Sequence, residues 1–141
     1  EESFPEIVNY IDKHYRTIKK KSARAIAGLS MGGGHTLQIS KEYPDMFDYV
    51  GLFSGASTGN DKSTCPVYTD FEGKLKTQFA KKPALYFIAC GKTDFVYKGV
   101  ADFRKLLDDN GYKYEYLETG EGHIWRNWRI YLTEFAPKLF K

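Results

Sequence analysis

Apolar residues near the start of the chain recur at helical spacing. Phe4, Ile7, Val8, Ile11, Tyr15 and Ile18 fall on one face of a helix, with charged and polar residues between them. Ser3 followed by Glu6 has the form of a capping box and predicts where that helix starts. The pattern then changes. Residues 23–27 form a short, mostly small and apolar run, Tyr49–Phe53 forms another, and residues 84–90 form an aromatic-rich one behind Pro83. Each reads as a buried strand, and residues 112–118 read as a fourth. Helical patterns fill the intervals. One follows the glycines at 32–34 and ends before Pro44, and a short one lies within 71–82. Another is marked by Tyr97, Val100, Phe103, Leu106 and Leu107 and closed by Asn110-Gly111. The last is marked by Trp125, Trp128, Leu132 and Phe135 and bends or frays near Pro137. A polar stretch rich in Gly, Ser, Thr and Asp at 56–70 is expected to be a lid or a substrate rim.

Strands alternating with helices predict an α/β fold, a parallel sheet with right-handed crossovers and flanking helices. At 141 residues the chain is expected to form one domain with a sizeable core. The run at 23–27 has only one helix before it, so it would lie at an open, apolar sheet edge. Such an edge is a liability, because parallel sheets are normally covered and paired. The expectation is therefore a domain truncated on its N-terminal side, residues 1–141 being its C-terminal part. Its edge would take the N-terminal half of the same domain, or self-associate.

Composition narrows the partners. The formal charge of +3 is mild, and Lys19-Lys20-Lys21 at a helix end complements the helix dipole, so no nucleic-acid partner is expected. No segment approaches transmembrane length, and no membrane partner is expected. Cys65 and Cys90 form no metal pattern and are expected to be two unlinked thiols. Eleven Tyr, ten Phe and two Trp supply aromatic surface for packing or for aromatic and sugar ligands.

The candidate chemistry sits on the loops that follow the strands. Gly28-Leu29-Ser30-Met31-Gly32 lies between the 23–27 run and a helical pattern, the context of a nucleophile elbow. There the glycines permit a sharp turn and leave the serine uncrowded, and the helix N-terminus favours developing negative charge. A nucleophilic serine needs a base, and the base needs an orienting carboxylate. Asp94 follows the 84–90 run in Gly91-Lys92-Thr93-Asp94, and His123 follows the 112–118 run in Thr119-Gly120-Glu121-Gly122-His123. Ser30, Asp94 and His123 stand in Ser…Asp…His order, and sites in open α/β sheets gather beyond the carboxyl ends of strands. Asp102, Asp108 and Asp109 compete with Asp94 but fall in a helical pattern, where solvated carboxylates are ordinary. Asp70 lies before its strand. Of the remaining histidines, His14 reads as a surface residue, and His35 reads as helix packing or a substrate contact.

Gly28-Leu29-Ser30-Met31-Gly32-Gly33, Tyr43-Pro44-Asp45-Met46-Phe47-Asp48, Leu52-Phe53-Ser54-Gly55, Gly91-Lys92-Thr93-Asp94 and Gly122-His123-Ile124-Trp125-Arg126-Asn127-Trp128-Arg129 together resemble the esterase D-like group of α/β-hydrolases. Within it, the pattern is most similar to feruloyl and acetyl-xylan esterases of carbohydrate esterase family 1. The resemblance implies a serine carboxylesterase that releases ferulate or acetate from acylated plant polysaccharide or oligosaccharide, secreted or periplasmic, with no cofactor and no metal. It implies Ser30 as nucleophile, His123 as base, Asp94 as its orienter and the Met31 backbone N–H as one oxyanion donor. The second donor and the first strands belong to the N-terminal half in that group. Trp125 and His35 are the candidate substrate contacts. Two alternatives stay open: a thioesterase, S-formylglutathione hydrolase or acyltransferase on the same scaffold, and a non-catalytic fragment serving assembly.

Overall fold

The structure, a computed structural model, describes residues 1–56 and 64–141. Among them, four strands form one parallel sheet in chain order: β1 (Ala25–Leu29), β2 (Tyr49–Phe53), β3 (Leu85–Gly91) and β4 (Glu115–Thr119). The helices are α1 (Phe4–His14), α2 (Met31–Glu42), α3 (Phe71–Ala80), α4 (Tyr97–Asp109) and α5 (Trp125–Phe135).

Alternation along the strands divides the core. Val50, Leu52, Tyr86, Ile88 and Cys90 point to one face, where Leu37 and Ile39 of α2, Leu75 of α3, and Val100, Phe103 and Leu107 of α4 cover them. Tyr49, Phe53, Leu85, Phe87 and Ala89 point to the other, where α5 lays Tyr131 and Phe135 across them. β2 and β3 are buried along their whole lengths, which explains their near-continuous apolar sequence.

Several boundaries differ from the sequence expectation. β1 starts at Ala25 rather than 23, because Lys21–Ala23 forms a 3-10 turn ahead of it. β4 starts at Glu115 rather than 112; Tyr112 instead stacks on Phe79 at 4.5 Å between ring centres, outside the sheet. The first helix stops at His14, so Tyr15 and Ile18 are not on it. The capping box does not form: Ser3 makes no side-chain cap, and its carbonyl accepts the Glu6 N–H at 3.1 Å. Phe4 and Val8 reach the core, but Ile7, Ile11, Tyr15 and Ile18 are exposed. Residues 57–63 of the expected lid lie outside the described residues, and its end is a 3-10 turn at Pro66–Tyr68. Asn110-Gly111 stops α4 as expected.

β1 has no partner on its outer side among the described residues. A groove of about 850 Å³ runs along that edge, lined by Ile7, Ile11, Ile18, Ala25, Phe47 and Phe140 among others.

One buried charge braces the scaffold. Lys41 of α2 is 1% exposed; its Nζ donates to the Val67 carbonyl at 2.5 Å and lies 5.4 Å from the centre of the Phe71 ring. Burial first, then the nearby Lys74 charge, pulls its ammonium from 10.5 down to about 8. Between those values the unfolded chain holds a proton that the folded chain has lost, so this group makes stability rise with pH across that window. Its penalty is fully present below about pH 8. Urea unfolding of the wild type and Lys41→Met at pH 8 and above is expected to show the difference between the two curves changing across this window. Parallel curves would contradict the buried charge.

Candidate active site

The sharp turn after β1 is built by close backbone approach. A Cβ on Gly28 would lie 2.0 Å from the Gly32 carbonyl oxygen and 2.7 Å from Thr36 Oγ1, so the strand and α2 meet here only through glycine. Gly32 differs from expectation: a Cβ there meets nothing within 4 Å among the described residues, so only the first glycine of the motif is demanded by crowding. Ser30 itself adopts φ 55°, ψ −119°, a conformation that non-glycine residues rarely hold. It is held there because its N–H continues the sheet ladder to the Phe53 carbonyl at 2.8 Å, while its carbonyl accepts from Gly34 at 3.2 Å as the helix begins. Strain of this kind costs on the order of 1–3 kcal/mol and persists only where the surroundings impose it.

Asp94 sits in the turn between β3 and α4. Its N–H bonds the Gly91 carbonyl at 3.1 Å, its carbonyl accepts from Tyr97 at 2.9 Å, and its Oδ1 accepts the Val96 N–H at 3.1 Å. The carboxylate is wholly buried. His123 lies between β4 and α5, where Asn127 Nδ2 donates to the Gly122 carbonyl at 2.8 Å and fixes the loop. That loop presses on the end of β3 so closely that a Cβ on Gly91 would lie 1.7 Å from the Glu121 carbonyl oxygen. Phe95 and Trp128 flank the imidazole, with ring centres at 4.5 and 5.1 Å.

The three loops bring the predicted residues together. His123 Nδ1 lies 3.0 Å from both Asp94 carboxylate oxygens, and His123 Nε2 lies 2.9 Å from Ser30 Oγ. A carboxylate can only accept, so Nδ1 carries the proton and donates it to Asp94. Nε2 is then the acceptor for the Ser30 hydroxyl. This arrangement can remove a proton from Ser30 as the oxygen attacks and hold the resulting imidazolium beside a buried anion. The Met31 N–H is among the first amides of α2, which an α-helix leaves unpaired, and it is next in sequence to the nucleophile.

A cavity of about 320 Å³ opens beside Ser30, and Met31, Gly34 and His35 line it as α2 leads away. His35 therefore faces the site, where its Nδ1 pairs with Glu1 at 2.6 Å. Trp125 does not line this cavity; it is exposed and packs edge-on against Trp128 at 5.0 Å. Asp102 and Asp109 form exposed pairs with Lys98 and Lys105, and Asp70 stands at the N-cap position of α3 without a side-chain capping bond, so none of them is the carboxylate that meets His123. His14 is exposed, its Nδ1 at 2.7 Å from the Tyr10 carbonyl. Sequence reasoning missed Gln38, Val96 and Tyr68, which also line the cavity. Gln38 was discoverable, because it falls on the α2 face that carries Gly34 and His35.

The Esterase family model matches residues 5–86. The chain belongs to this family. It is 34% identical over 137 residues to an endo-1,4-beta-xylanase/feruloyl esterase of Xylanibacter ruminicola, covering 96% of this chain and 17% of that protein. Among solved structures, a ferulic acid esterase superposes with a TM-score of 0.77 at 28% identity, over 96% of this chain and 58% of its own. A ferulic acid esterase of carbohydrate esterase family 1 from Anaeromyces mucronatus, in complex with ferulic acid, shares the fold. Its TM-score is 0.82 at 23% identity, over 99% of this chain and 53% of its own. The chain thus has the α/β-hydrolase type of sheet and spans little more than half of each of these solved chains, and a far smaller part of the Xylanibacter protein.

Proposed function

We propose that this chain carries the catalytic centre of a serine carboxylesterase that releases acyl groups, ferulate or acetate, from plant cell-wall polysaccharide. The observation that supports this reading best is the unbroken relay from Ser30 Oγ through His123 to Asp94 at 2.9 and 3.0 Å. The feruloyl esterase relatives supply the substrate class. Ser30 Oγ attacks the ester carbonyl as His123 Nε2 takes its proton, and the Met31 N–H donates to the oxygen that becomes negative. Collapse breaks the bond to the sugar oxygen, which leaves with the proton from His123. Water then attacks the acyl-serine, giving its proton to His123, and the acid departs as Ser30 is restored.

One amide makes an incomplete oxyanion hole. In our reading, further strands of the same domain pair with the outer edge of β1, fill the apolar groove beside α1 and deliver the second donor. A single donor is worth roughly a hundred- to a thousandfold in turnover. A polymeric wall substrate also places the reaction outside the cytoplasm, secreted or periplasmic. The test is hydrolysis of methyl ferulate and 4-nitrophenyl acetate by the intact protein and by its Ser30→Ala variant. Turnover of either ester that depends on Ser30 is the expected result, and turnover that survives the substitution would overturn the assignment.

A further inference from the structure

Each member of the triad is followed in sequence by a large apolar side chain that stands in solvent: Met31 after Ser30, Phe95 after Asp94, and Ile124 and Trp125 after His123. Phe95 is 78% exposed and Trp125 is 69% exposed. Single exposed apolar residues are ordinary, but a group of them gathered round a nucleophile marks a binding surface. Met31 belongs to the wall of the cavity beside Ser30, whereas Phe95, Ile124 and Trp125 do not line it. These three form a second surface on the His123 side. Phe95 lies 4.5 Å from the imidazole between ring centres. Trp125 is reached through Trp128, which stands 5.1 Å from the imidazole and 5.0 Å from Trp125.

Both rings stand on pinned backbone. The turn beneath Phe95 is held by the Val96 N–H on Asp94 Oδ1 at 3.1 Å and by the Tyr97 N–H on the Asp94 carbonyl at 2.9 Å. Trp125 opens α5 and packs edge-on against Trp128, whose Nε1 donates to Ser54 Oγ at 3.4 Å. The open edge of the sheet is at β1, two strands from the loop of Phe95 and three from that of Trp125, roughly 10 and 14 Å across the sheet. Strands added at that edge extend the sheet away from the two rings.

Proton delivery decides which part of the ester meets this surface. When the tetrahedral intermediate collapses, the bond from the carbonyl carbon to the alcohol oxygen breaks, and that oxygen takes the proton from His123 Nε2. The alcohol oxygen must therefore face the imidazole, and the group it carries lies on the His123 side, against Phe95 and Trp125. The acyl group, on another bond of the same carbon, turns toward the cavity walled by Met31 and Gly34. An exposed aromatic ring presents a negative face, which attracts the slightly positive C–H groups of a sugar ring. Resting on the esterase reading above, we propose that Phe95 and Trp125 form the leaving-group subsite and select a sugar alcohol over a simple alkyl alcohol. Phe95 takes the sugar that bears the ester, and Trp125 takes a neighbouring sugar of the chain.

The test compares kcat/KM of the intact protein for a sugar ester and the methyl ester of the same acid. The pairs are a feruloylated arabinoxylan oligosaccharide with methyl ferulate, and acetylated xylotriose with methyl acetate. In whichever pair is hydrolysed, the sugar ester is expected to be preferred about tenfold. Phe95→Leu and Trp125→Leu keep an apolar side chain but remove the ring face, and each should lower that ratio about three- to tenfold, the worth of one aromatic contact. Phe95→Tyr and Trp125→Phe, which keep a ring, should retain most of it. No preference in the unsubstituted protein, a comparison that needs no variant to fold, would overturn the subsite while Ser30-dependent hydrolysis leaves the esterase reading intact. A ratio unchanged in both leucine variants would overturn it equally. If no ester is hydrolysed, the esterase reading fails and calorimetric binding of the unesterified oligosaccharide decides. Binding weakened by either leucine variant supports the subsite, and binding that is absent, or unchanged in both, overturns it.

Discussion

Ser30→Ala is expected to lower kcat for ester hydrolysis on the order of 10⁶-fold, the scale seen when a serine nucleophile is removed from a working triad. The reasoning is local. Ser30 is the hydroxyl within hydrogen-bond reach of His123 Nε2, at 2.9 Å, and it sits on a turn whose backbone is held in an unfavourable conformation. Alanine at this position keeps the main-chain bond to Phe53, so the elbow and the Met31 amide stay in place. The loss therefore reads the missing nucleophile rather than a lost fold. Thermal unfolding of the variant is expected to be close to that of the wild type, since no core contact is removed.

Asp94→Asn should cost about 10⁴-fold in kcat with little change in stability. The substitution preserves shape, and an asparagine oxygen can still accept the Val96 N–H that now bonds Oδ1 at 3.1 Å. Its amide nitrogen, however, donates where the carboxylate accepted. That favours the imidazole tautomer with the proton on Nε2, which cannot receive the Ser30 proton, and removes the buried negative charge that stabilises the imidazolium. Full kinetics against pH, with unfolding measured alongside, separates this from a packing defect. A loss of less than about tenfold would mean that Asp94 does not orient His123 in the working enzyme.

The sequence made the elements that place the site legible, and the physical reason is periodicity. Strands buried along their whole lengths, β2 and β3, read as apolar runs, and the end of β3 leads directly to Asp94, whereas the elbow follows the less buried β1 and was legible from its glycines. The relay could be anticipated because each member follows a strand at the same edge of a parallel sheet. The first helix was less legible: its apolar face predicts burial, yet Ile7 and Ile11 remain exposed at the open edge of β1. Local pattern carries no information on which neighbour an apolar face meets. The same holds for polar residues inside. Lys41 and Gln38 lie in a helix whose glycine-rich start gives weak amphipathic signal, and α2 is packed by β1, β2 and α3 on several sides. Their burial is a tertiary outcome, and with it the part of the cavity wall that Gln38 supplies.

The central claim is that Ser30 is the nucleophile, and covalent labelling tests it most directly. The intact protein would be treated with a fluorophosphonate and digested, and the modified peptide identified by mass spectrometry, with His123→Ala in parallel. The account predicts one phosphonate on Ser30, formed far more slowly when His123 is absent. Label on another residue, or labelling of Ser30 at the same rate without His123, would contradict it.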